Sequence, residues 1–295
     1  MAHQSNLKID LKKIKFSLRK TVLSHGWVNL PPYKYDYANN TLHRTEVING
    51  NLTELLISQK ENFIKVKIKS KEKLSISDKS EIKRNIHNIF QLDIDFSEFC
   101  DLTKKINKRI NHYVKAGGGR FLTGNSLFED VVKTLFTTNT TWNRTVNMTK
   151  SLISQFNKVK YGTPMIYGFP AYCEFRSIKP SRVIKDLRFG YRNEYLKNII
   201  NEFLENEGFV YEDKQAVIKE LRRVKGIGKY SIAHIKCLMG IFDEIPVDSE
   251  VIKYAKLKGI GHTEKLIAKH YQKYEQYAFL AYKIERIVNK INWIG

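Results

Sequence analysis

The order of hydrophobic and polar residues changes its period along the chain. Near the N-terminus it alternates, most clearly in the segment Phe-Ile-Lys-Val-Lys-Ile-Lys at 63–69, which is typical of a half-buried β-strand. There we expect Phe63, Val66 and Ile68 to be covered, with Ile64 as a further candidate, and the lysines to be exposed. The sequence Asn-Gly-Asn at 49–51 predicts a hairpin turn. Residues 1 to about 75 are therefore predicted to form a small antiparallel sheet.

From about residue 80 the apolar residues recur at helical spacing, first over 80–90 and 96–113. The glycines at 117–119 then mark a joint. Beyond it we expect amphipathic helices over 127–138, 142–156, 193–206, 214–223, 230–241, 249–257 and 263–291. The pattern predicts an α+β protein, with an N-terminal antiparallel β domain and its connecting helices in residues 1–115 and a mostly helical domain in residues 116–295.

The charge balance limits the partners of this protein. Its 295 residues include 51 lysines and arginines against 30 aspartates and glutamates, and the net charge of +21 favours a nucleic acid partner. We expect no membrane binding, because no apolar run reaches about 18 residues and the lysines are spread along the whole chain. The first residues lack the apolar stretch of a secretory signal, so a cytoplasmic, DNA-associated protein is expected.

Three cysteines, Cys100, Cys173 and Cys237, lie far apart in the sequence. This spacing excludes a disulfide framework, a CxxC zinc site and a four-cysteine iron–sulfur cluster. We expect the three thiols to be small buried hydrophobic groups.

The most informative segment, LRRVKGIGKYSIA at 221–233, joins two predicted helices. Gly226 and Gly228 permit a tight hairpin, and the helix that follows begins with free backbone N–H groups that suit a phosphate. Lys225 and Lys229 add positive charge on either side. On its own, this pattern fits a turn used only for packing equally well.

A carboxylate follows one helix later, in the sequence Pro-Val-Asp-Ser-Glu at 246–250. Asp248 lies eighteen residues after Tyr230 and stands where the next helix needs its N-cap. Without the hairpin upstream, Asp248 would be best explained as a helix cap alone.

Together, the hairpin and the Pro-Val-Asp sequence resemble the helix-hairpin-helix DNA glycosylase superfamily, nearest its 8-oxoguanine and 3-methyladenine glycosylase II branch. Residues 128–141 are similar to the first core helix and following loop of that family. Residues 190–195 (GYRNEY) resemble the GYRxxY segment of 8-oxoguanine glycosylases. The resemblance is specific over 120–260, whereas the first 110 residues match in character only.

This resemblance implies an enzyme that flips a damaged or modified base out of double-stranded DNA and hydrolyses its N-glycosidic bond. Asp248 would stabilise the oxocarbenium-like sugar or activate the attacking water. Relatives that also cleave the strand carry a lysine at the fourth residue after the first hairpin glycine, where this chain has Tyr230. We therefore expect a monofunctional glycosylase, with the Tyr230 ring beside the flipped base.

The family also implies roles for residues outside this pair of motifs. Asn139 would fill the gap left by the flipped base, Tyr191 would wedge beside the unpaired partner base, and Arg144 and Arg192 would bind the edge of that base. No cofactor or catalytic metal is implied. In this family, backbone carbonyl groups of such hairpins hold a monovalent cation, so we expect sodium or potassium near Val224 and Ile227. We expect a monomer. The hairpin residues expected to contact the DNA backbone are Val224, Lys225, Gly226, Ile227, Gly228 and Lys229, of which Val224 and Ile227 lie at the cation site.

Two alternatives to this function stay open. A catalytically inactive protein of this fold would only recognise distorted DNA, which the presence of Asp248 disfavours. A bifunctional glycosylase and lyase would need a displaced lysine such as Lys229 or Lys236, which Tyr230 disfavours. The excised base stays open among oxidised, alkylated, mismatched or deaminated, and hypermodified bases, because pocket residues in the turn at 25–27 and in the C-terminal helix cannot be chosen from spacing.

Overall fold

The computed structural model describes residues 3–162, 168–209 and 213–291. Its N-terminal part contains the strands β1 (His3–Asp10), β2 (Tyr33–Asp36), β3 (Thr41–Ile48), β4 (Asn51–Lys60) and β5 (Phe63–Ser70). They form one antiparallel sheet with the order β1-β5-β4-β3-β2. Strands β2 to β5 are therefore a meander, and β1 pairs with its last strand. The predicted antiparallel sheet is confirmed.

Strand β5 shows why this part of the sequence forms a sheet. The three aliphatic residues at 64, 66 and 68 are buried, and the lysines between them are exposed. Phe63, which was expected to be covered, is only half-buried. β3 and β4 are joined by a two-residue turn in which Asn49 and Gly50 have φ angles of 49° and 80°. Positive φ at both positions is typical of a hairpin turn, as predicted.

The rest of the described chain is mostly helical, which confirms the α+β class. Each segment beyond the joint that was predicted to be helical contains helix, while α1 and α7, of five residues each, are too short to show a period. The helices are α1 (Leu18–Val22), α2 (Ile76–Ile89), α3 (Ser97–Ile106), α4 (Lys108–Lys115), α5 (Leu127–Thr137), α6 (Trp142–Tyr161), α7 (Pro180–Ile184), α8 (Arg192–Glu205), α9 (Lys214–Leu221), α10 (Lys229–Leu238), α11 (Ser249–Leu257), α12 (Glu264–Tyr271) and α13 (Ala278–Ile291).

The prediction of one continuous helix over 263–291 is wrong. A 3₁₀ turn at Gln272–Tyr277 separates α12 from α13, and within it Glu275 adopts φ 52° and ψ −129°. The buried residues Tyr274 and Tyr277 of this turn are three positions apart, a spacing that a helix also produces. The pattern of apolar residues therefore could not reveal the break.

Hydrophobic contacts cross the predicted domain boundary near residue 115. The ring of Phe99 in α3 lies 5.0 Å from the ring of Tyr277, measured between centroids. Ile110 in α4 belongs to the same buried cluster as Leu280 in α13. The helices that precede the boundary thus share a core with the C-terminal helices, and the boundary itself stays a prediction.

The three cysteines differ in their exposure to solvent. Cys237 is buried in the core that α10 shares with the C-terminal helices, Cys100 is half-buried, and Cys173 is exposed. The expectation of buried thiols is therefore wrong for Cys173. All three are free cysteines.

A buried network of charges joins the sheet to α5. The Arg44 guanidinium, on β3, donates to both carboxylate oxygens of Glu129 at 3.1 and 2.7 Å, and its Nε donates to Glu46 at 2.6 Å. The Lys133 ammonium donates to Glu129 at 2.5 Å. Burial would raise the pKa of Glu129, but the positive charges of Arg44 and Lys133 outweigh it and hold the pKa at about 2. The network fixes α5, which leads into the cleft described below.

We expect Arg44→Met to lower the free energy of unfolding by about 3–5 kcal/mol, because it leaves the buried carboxylates of Glu46 and Glu129 with one cation instead of two. Urea unfolding at pH 7 measures this loss. Arg84→Met on the exposed face of α2 is the matched control and should change the free energy by less than about 0.5 kcal/mol. A loss below about 1 kcal/mol for Arg44→Met would show that the network contributes little.

Candidate active site

The hairpin between α9 and α10 has the geometry that its two glycines suggest. Gly226 adopts a φ of +107°, and a Cβ at this position would lie 2.6 Å from the Tyr195 side chain. Gly228 is the N-cap of α10 and has no side chain to cap the helix. A Cβ there would have no atom within 4 Å. The first N–H groups of α10 are therefore uncapped and accessible to an anion such as a phosphate.

The other hairpin residues divide into anchors and surface charges. Val224 and Ile227 are only 4% and 8% exposed, so they fix the hairpin in the core and can meet DNA only through the backbone. Lys225 and Lys229 are exposed, and each ammonium group pairs with an exposed glutamate. Exposed ion pairs contribute little to stability, so both lysines can exchange a glutamate for a phosphate at small cost.

Asp248 is the N-cap of α11, as its position in the sequence predicted. Its Oδ1 accepts a hydrogen bond of 2.8 Å from the Val251 N–H. The cap uses one carboxylate oxygen and leaves Oδ2 for the cleft, where the Tyr230 phenol lies beside the carboxylate. Capping orients the carboxylate, and a role in chemistry is compatible with it.

Tyr230 forms part of the wall next to this carboxylate. Burial and the negative charge of Asp248 raise the pKa of Tyr230 to about 12. The phenol is therefore neutral at pH 7 and can donate a hydrogen bond. Its ring lies nearly parallel to that of His234, with 20° between the planes and 6.1 Å between the centroids.

One open cleft of about 1200 Å³ contains most of the residues proposed from the sequence. It lies where the turn at 25–27, the loop between α5 and α6, the start of α8, the hairpin and the start of α11 meet. The proposed residues that line it are Asn139, Tyr191, Gly226, Gly228, Lys229, Tyr230 and Asp248.

The two residues proposed to enter the DNA duplex are exposed at the cleft. Asn139 lies in the loop between α5 and α6 and adopts a φ of 46°, in the left-handed region. Tyr191 is 51% exposed at the start of α8, and its ring contacts Tyr195 edge-on at 5.4 Å. Both side chains are placed where a ligand can reach them. Their roles as gap filler and wedge stay predictions.

The two arginines proposed for the edge of the partner base differ in their exposure. Arg192 is 4% exposed, and its Nη2 donates to the carbonyl oxygens of Thr138 and Asn139. The guanidinium thus lies under the loop and supports it, and the expectation that Arg192 binds the edge of a base is corrected to a positioning role. Arg144 is exposed on α6 outside the lining of the cleft, and its role at the edge of the partner base stays a prediction.

Two histidines line the cleft, of which the sequence did not indicate His234 and indicated His25 only as part of the turn at 25–27. His25 and His234 both line it, with ring centroids 6.3 Å apart. Burial and the nearby Lys283 ammonium lower the pKa of His234 to about 3. The same two causes, followed by His234 itself, hold the pKa of His25 well below its usual range. Both imidazoles are therefore neutral near pH 7.

The turn that carries His25 is fixed to α5 by a buried hydrogen bond. Trp27, in this turn, donates from Nε1 to the Asp130 carboxylate at 2.8 Å. The same oxygen accepts the Gly124 N–H at 2.7 Å. The turn at 25–27 was a candidate for the pocket rim on sequence grounds, but no sequence feature links it to residues of the C-terminal half such as His234.

No protein-family model and no curated protein matches the sequence. Solved structures do match the fold. A 3-methyladenine DNA glycosylase from Archaeoglobus fulgidus superposes with a TM-score of 0.70 and 13% identity over 97% of this chain and 99% of the other. An 8-oxoguanine glycosylase/lyase from Clostridium acetobutylicum in its apo form gives a TM-score of 0.64 and 15% identity over 97% and 98%. This chain has the fold of DNA glycosylases.

The same clostridial glycosylase/lyase in complex with double-stranded DNA, with cytosine opposite 8-oxoguanine, gives a TM-score of 0.59 and 16% identity over 98% of each chain. The match covers the sheet as well as the helices, so the glycosylase fold inferred from the hairpin and its aspartate is confirmed. Within the described part of the chain, no helix is long and apolar enough to cross a membrane. Among the same residues, no group of three histidine, cysteine or acidic side chains is arranged to hold a metal ion.

Proposed function

We propose that this protein is a DNA N-glycosylase that takes a modified base out of double-stranded DNA and hydrolyses its N-glycosidic bond. The observation that carries the proposal is the cleft in which the Asp248 carboxylate and the Tyr230 ring lie beside the uncapped start of α10. Base excision needs a carboxylate near the sugar, a flat surface for the base and donors for the phosphate. The likeness of the fold to DNA glycosylases supports the same class of reaction.

The proposed binding step uses three parts of the cleft. The first N–H groups of α10, with Lys225 and Lys229, hold phosphates next to the target nucleotide and offset their charge. Asn139 occupies the space that the everted base leaves, and Tyr191 lies against the unpaired partner base. Arg192 keeps the Asn139 loop in place through its bonds to the loop carbonyls.

Asp248 carries the proposed chemical step. As the bond between C1′ and the base nitrogen lengthens, positive charge develops on the sugar, and the carboxylate stabilises it. A water molecule then adds its hydroxyl to C1′, and its proton ends on the departing base. The products are the free base and an abasic sugar in an uncut strand.

The proposal includes an uncut strand because Tyr230 stands at the position of the lysine in bifunctional relatives. Cleavage by β-elimination begins with an amine that forms a Schiff base at C1′, and a phenol cannot form one. The neutral Tyr230 ring instead offers a surface against which the base can lie.

We also propose that the protein acts as a monomer and that a structural sodium or potassium ion binds the hairpin. The carbonyl oxygens of Val224 and Ile227 would hold it. The Val224 oxygen accepts one hydrogen bond, of 3.0 Å from the Ile227 N–H, and a second lone pair fits the cation. The ion would add positive charge close to the phosphate.

Binding to undamaged duplex is expected to weaken steeply as salt rises from about 50 to 200 mM, because the hairpin displaces counterions from phosphates. Lys225→Ala and Lys229→Ala should each lower the slope of log K against log salt by about one. Fluorescence anisotropy titrations measure the slope. Lys67→Ala, an exposed lysine of β5, is the control and should leave it unchanged. Affinity that does not depend on salt would require another explanation for the basic surface.

A panel of duplexes tests the proposed function and identifies the base. Each duplex carries a single 8-oxoguanine, 1,N6-ethenoadenine, hypoxanthine or thymine opposite guanine, and the strands are scored with and without hot alkali. We expect at least one duplex to be cut only after alkali, which marks an abasic site. Cutting of none of them, in the presence of tight binding, would favour a protein that recognises distorted DNA without excising a base.

A further inference from the structure

Trp142 is an exposed aromatic residue of the cleft. It is the first residue of α6 and follows directly after the loop that carries Asn139. Its side chain is 40% exposed, and it lines the same cleft as Asp248 and Tyr230. The indole is therefore accessible to a ligand in the cleft that contains Asp248 and Tyr230.

The six-membered ring of Trp142 is seated on Gly26. A Cβ at Gly26 would lie 2.5 Å from Cη2 and 2.6 Å from Cζ2 of the indole, so only glycine leaves room for the ring in this position. Gly26 is itself held in place, because the next residue, Trp27, is buried and donates a hydrogen bond to Asp130 in α5. The contact holds one side of the indole in place while the exposed part faces solvent.

We propose that Trp142, seated on Gly26, stacks on the everted base and provides a second aromatic surface for it besides Tyr230. This inference rests on the proposed function. Stacking of a base on an aromatic side chain contributes about 1–3 kcal/mol, which corresponds to about 5-fold to 150-fold in affinity. Every base has a π face, so the contact stabilises the flipped state whichever base the cleft selects.

Asn139 and Tyr191 have a different part in the same event. They contact the duplex where the base has left it, so their contribution does not need a base in the cleft. A duplex with a tetrahydrofuran in place of one nucleoside has the gap but no base. The two kinds of contact can therefore be separated by comparing this duplex with one that carries the modified base.

The experiment measures dissociation constants in the Asp248→Asn background, with undamaged duplex, the tetrahydrofuran duplex and the four modified duplexes of the panel. Adding Trp142→Ala should weaken binding of the duplex whose base the wild type releases by at least 5-fold. It should change binding of the undamaged duplex and of the tetrahydrofuran duplex by less than 2-fold. Tyr191→Ala should instead weaken binding of the modified and tetrahydrofuran duplexes alike.

Two further variants keep the test independent of folding. Gly26→Ala leaves the indole intact but displaces it, and should weaken binding of the modified duplex at least 3-fold. Trp142→Phe retains a smaller ring and should lose less than Trp142→Ala. Thermal unfolding shows whether each variant is folded, and Tyr37→Ala, an exposed aromatic outside the cleft, should bind like its parent.

The inference is overturned if Trp142→Ala binds all duplexes like its parent, or if it loses the same affinity for the tetrahydrofuran duplex as for the modified one. If Gly26→Ala bound the modified duplex as tightly as its parent, the contact with Gly26 would not be what positions the Trp142 indole. A wild type that binds these duplexes tightly but releases no base from any of them would count against the proposed function instead. The two failures are thus distinguishable.

Discussion

The Asp248→Asn variant is expected to bind a duplex with the modified base as tightly as the wild type and to release that base at least about 100-fold more slowly. The substitution removes the charge that stabilises the sugar in the transition state. It should not disturb the fold, because asparagine caps helices as well as aspartate does, and its Oδ1 can still accept the Val251 N–H. Single-turnover assays with excess enzyme measure the rate, and anisotropy measures the affinity.

Glu250→Gln is the matched control for this variant. Glu250 is a second carboxylate of the cleft, two residues away, and it pairs with Arg286 at 2.7 Å. We expect the control to release the base within about 3-fold of the wild-type rate. If Asp248→Asn kept more than a tenth of the rate, or if Glu250→Gln lost as much, Asp248 would not be the catalytic carboxylate.

Borohydride is expected to trap no covalent adduct between the wild type and DNA, and Tyr230→Lys is expected to gain one. The phenol of Tyr230 cannot form the Schiff base that the reagent reduces. A lysine there would instead place an amine beside Asp248 in the cleft, in the position that the amine nucleophile occupies in bifunctional relatives. Denaturing gels with a labelled strand measure the adduct.

Tyr195→Lys is the control for trapping, since it introduces the same amine elsewhere on the cleft wall and should give no adduct. A wild-type adduct in high yield would show that another amine takes part. Lys236 is the weaker candidate, because it is buried and paired with Asp243 at 2.6 Å. Lys229, which lines the cleft together with Asp248, is the stronger one. Peptide mapping of the adduct would distinguish them.

Features that depend on near neighbours in the sequence were predictable. The alternation in β5 specifies its buried face, and the positive φ of the hairpin turn requires the glycine at 226. Asp248 was recognisable as an N-cap from the apolar pattern after it. In each case the physical cause acts within about ten residues or in a turn of fixed length.

Features that depend on contacts between distant segments were not predictable. Arg192 follows a recognisable motif, yet its direction toward the carbonyl of Thr138 is decided by packing of α8 under the loop. The lowered pKa values of His25 and His234 arise from burial and from the charge of Lys283 in α13. The period of hydrophobic residues carries no information about contacts between segments so far apart in the sequence. The contact between Trp142 and Gly26 likewise joins segments that are distant in the sequence.

Analysis of the reaction products shows whether this protein hydrolyses an N-glycosidic bond through Asp248. The wild type is incubated with the duplex that it cuts after alkali, and the free base is quantified by liquid chromatography while the strand is sized before alkali. We expect one free base for each abasic site in a full-length strand, and neither product with Asp248→Asn. A strand already nicked before alkali, or tight binding with no free base, would contradict it.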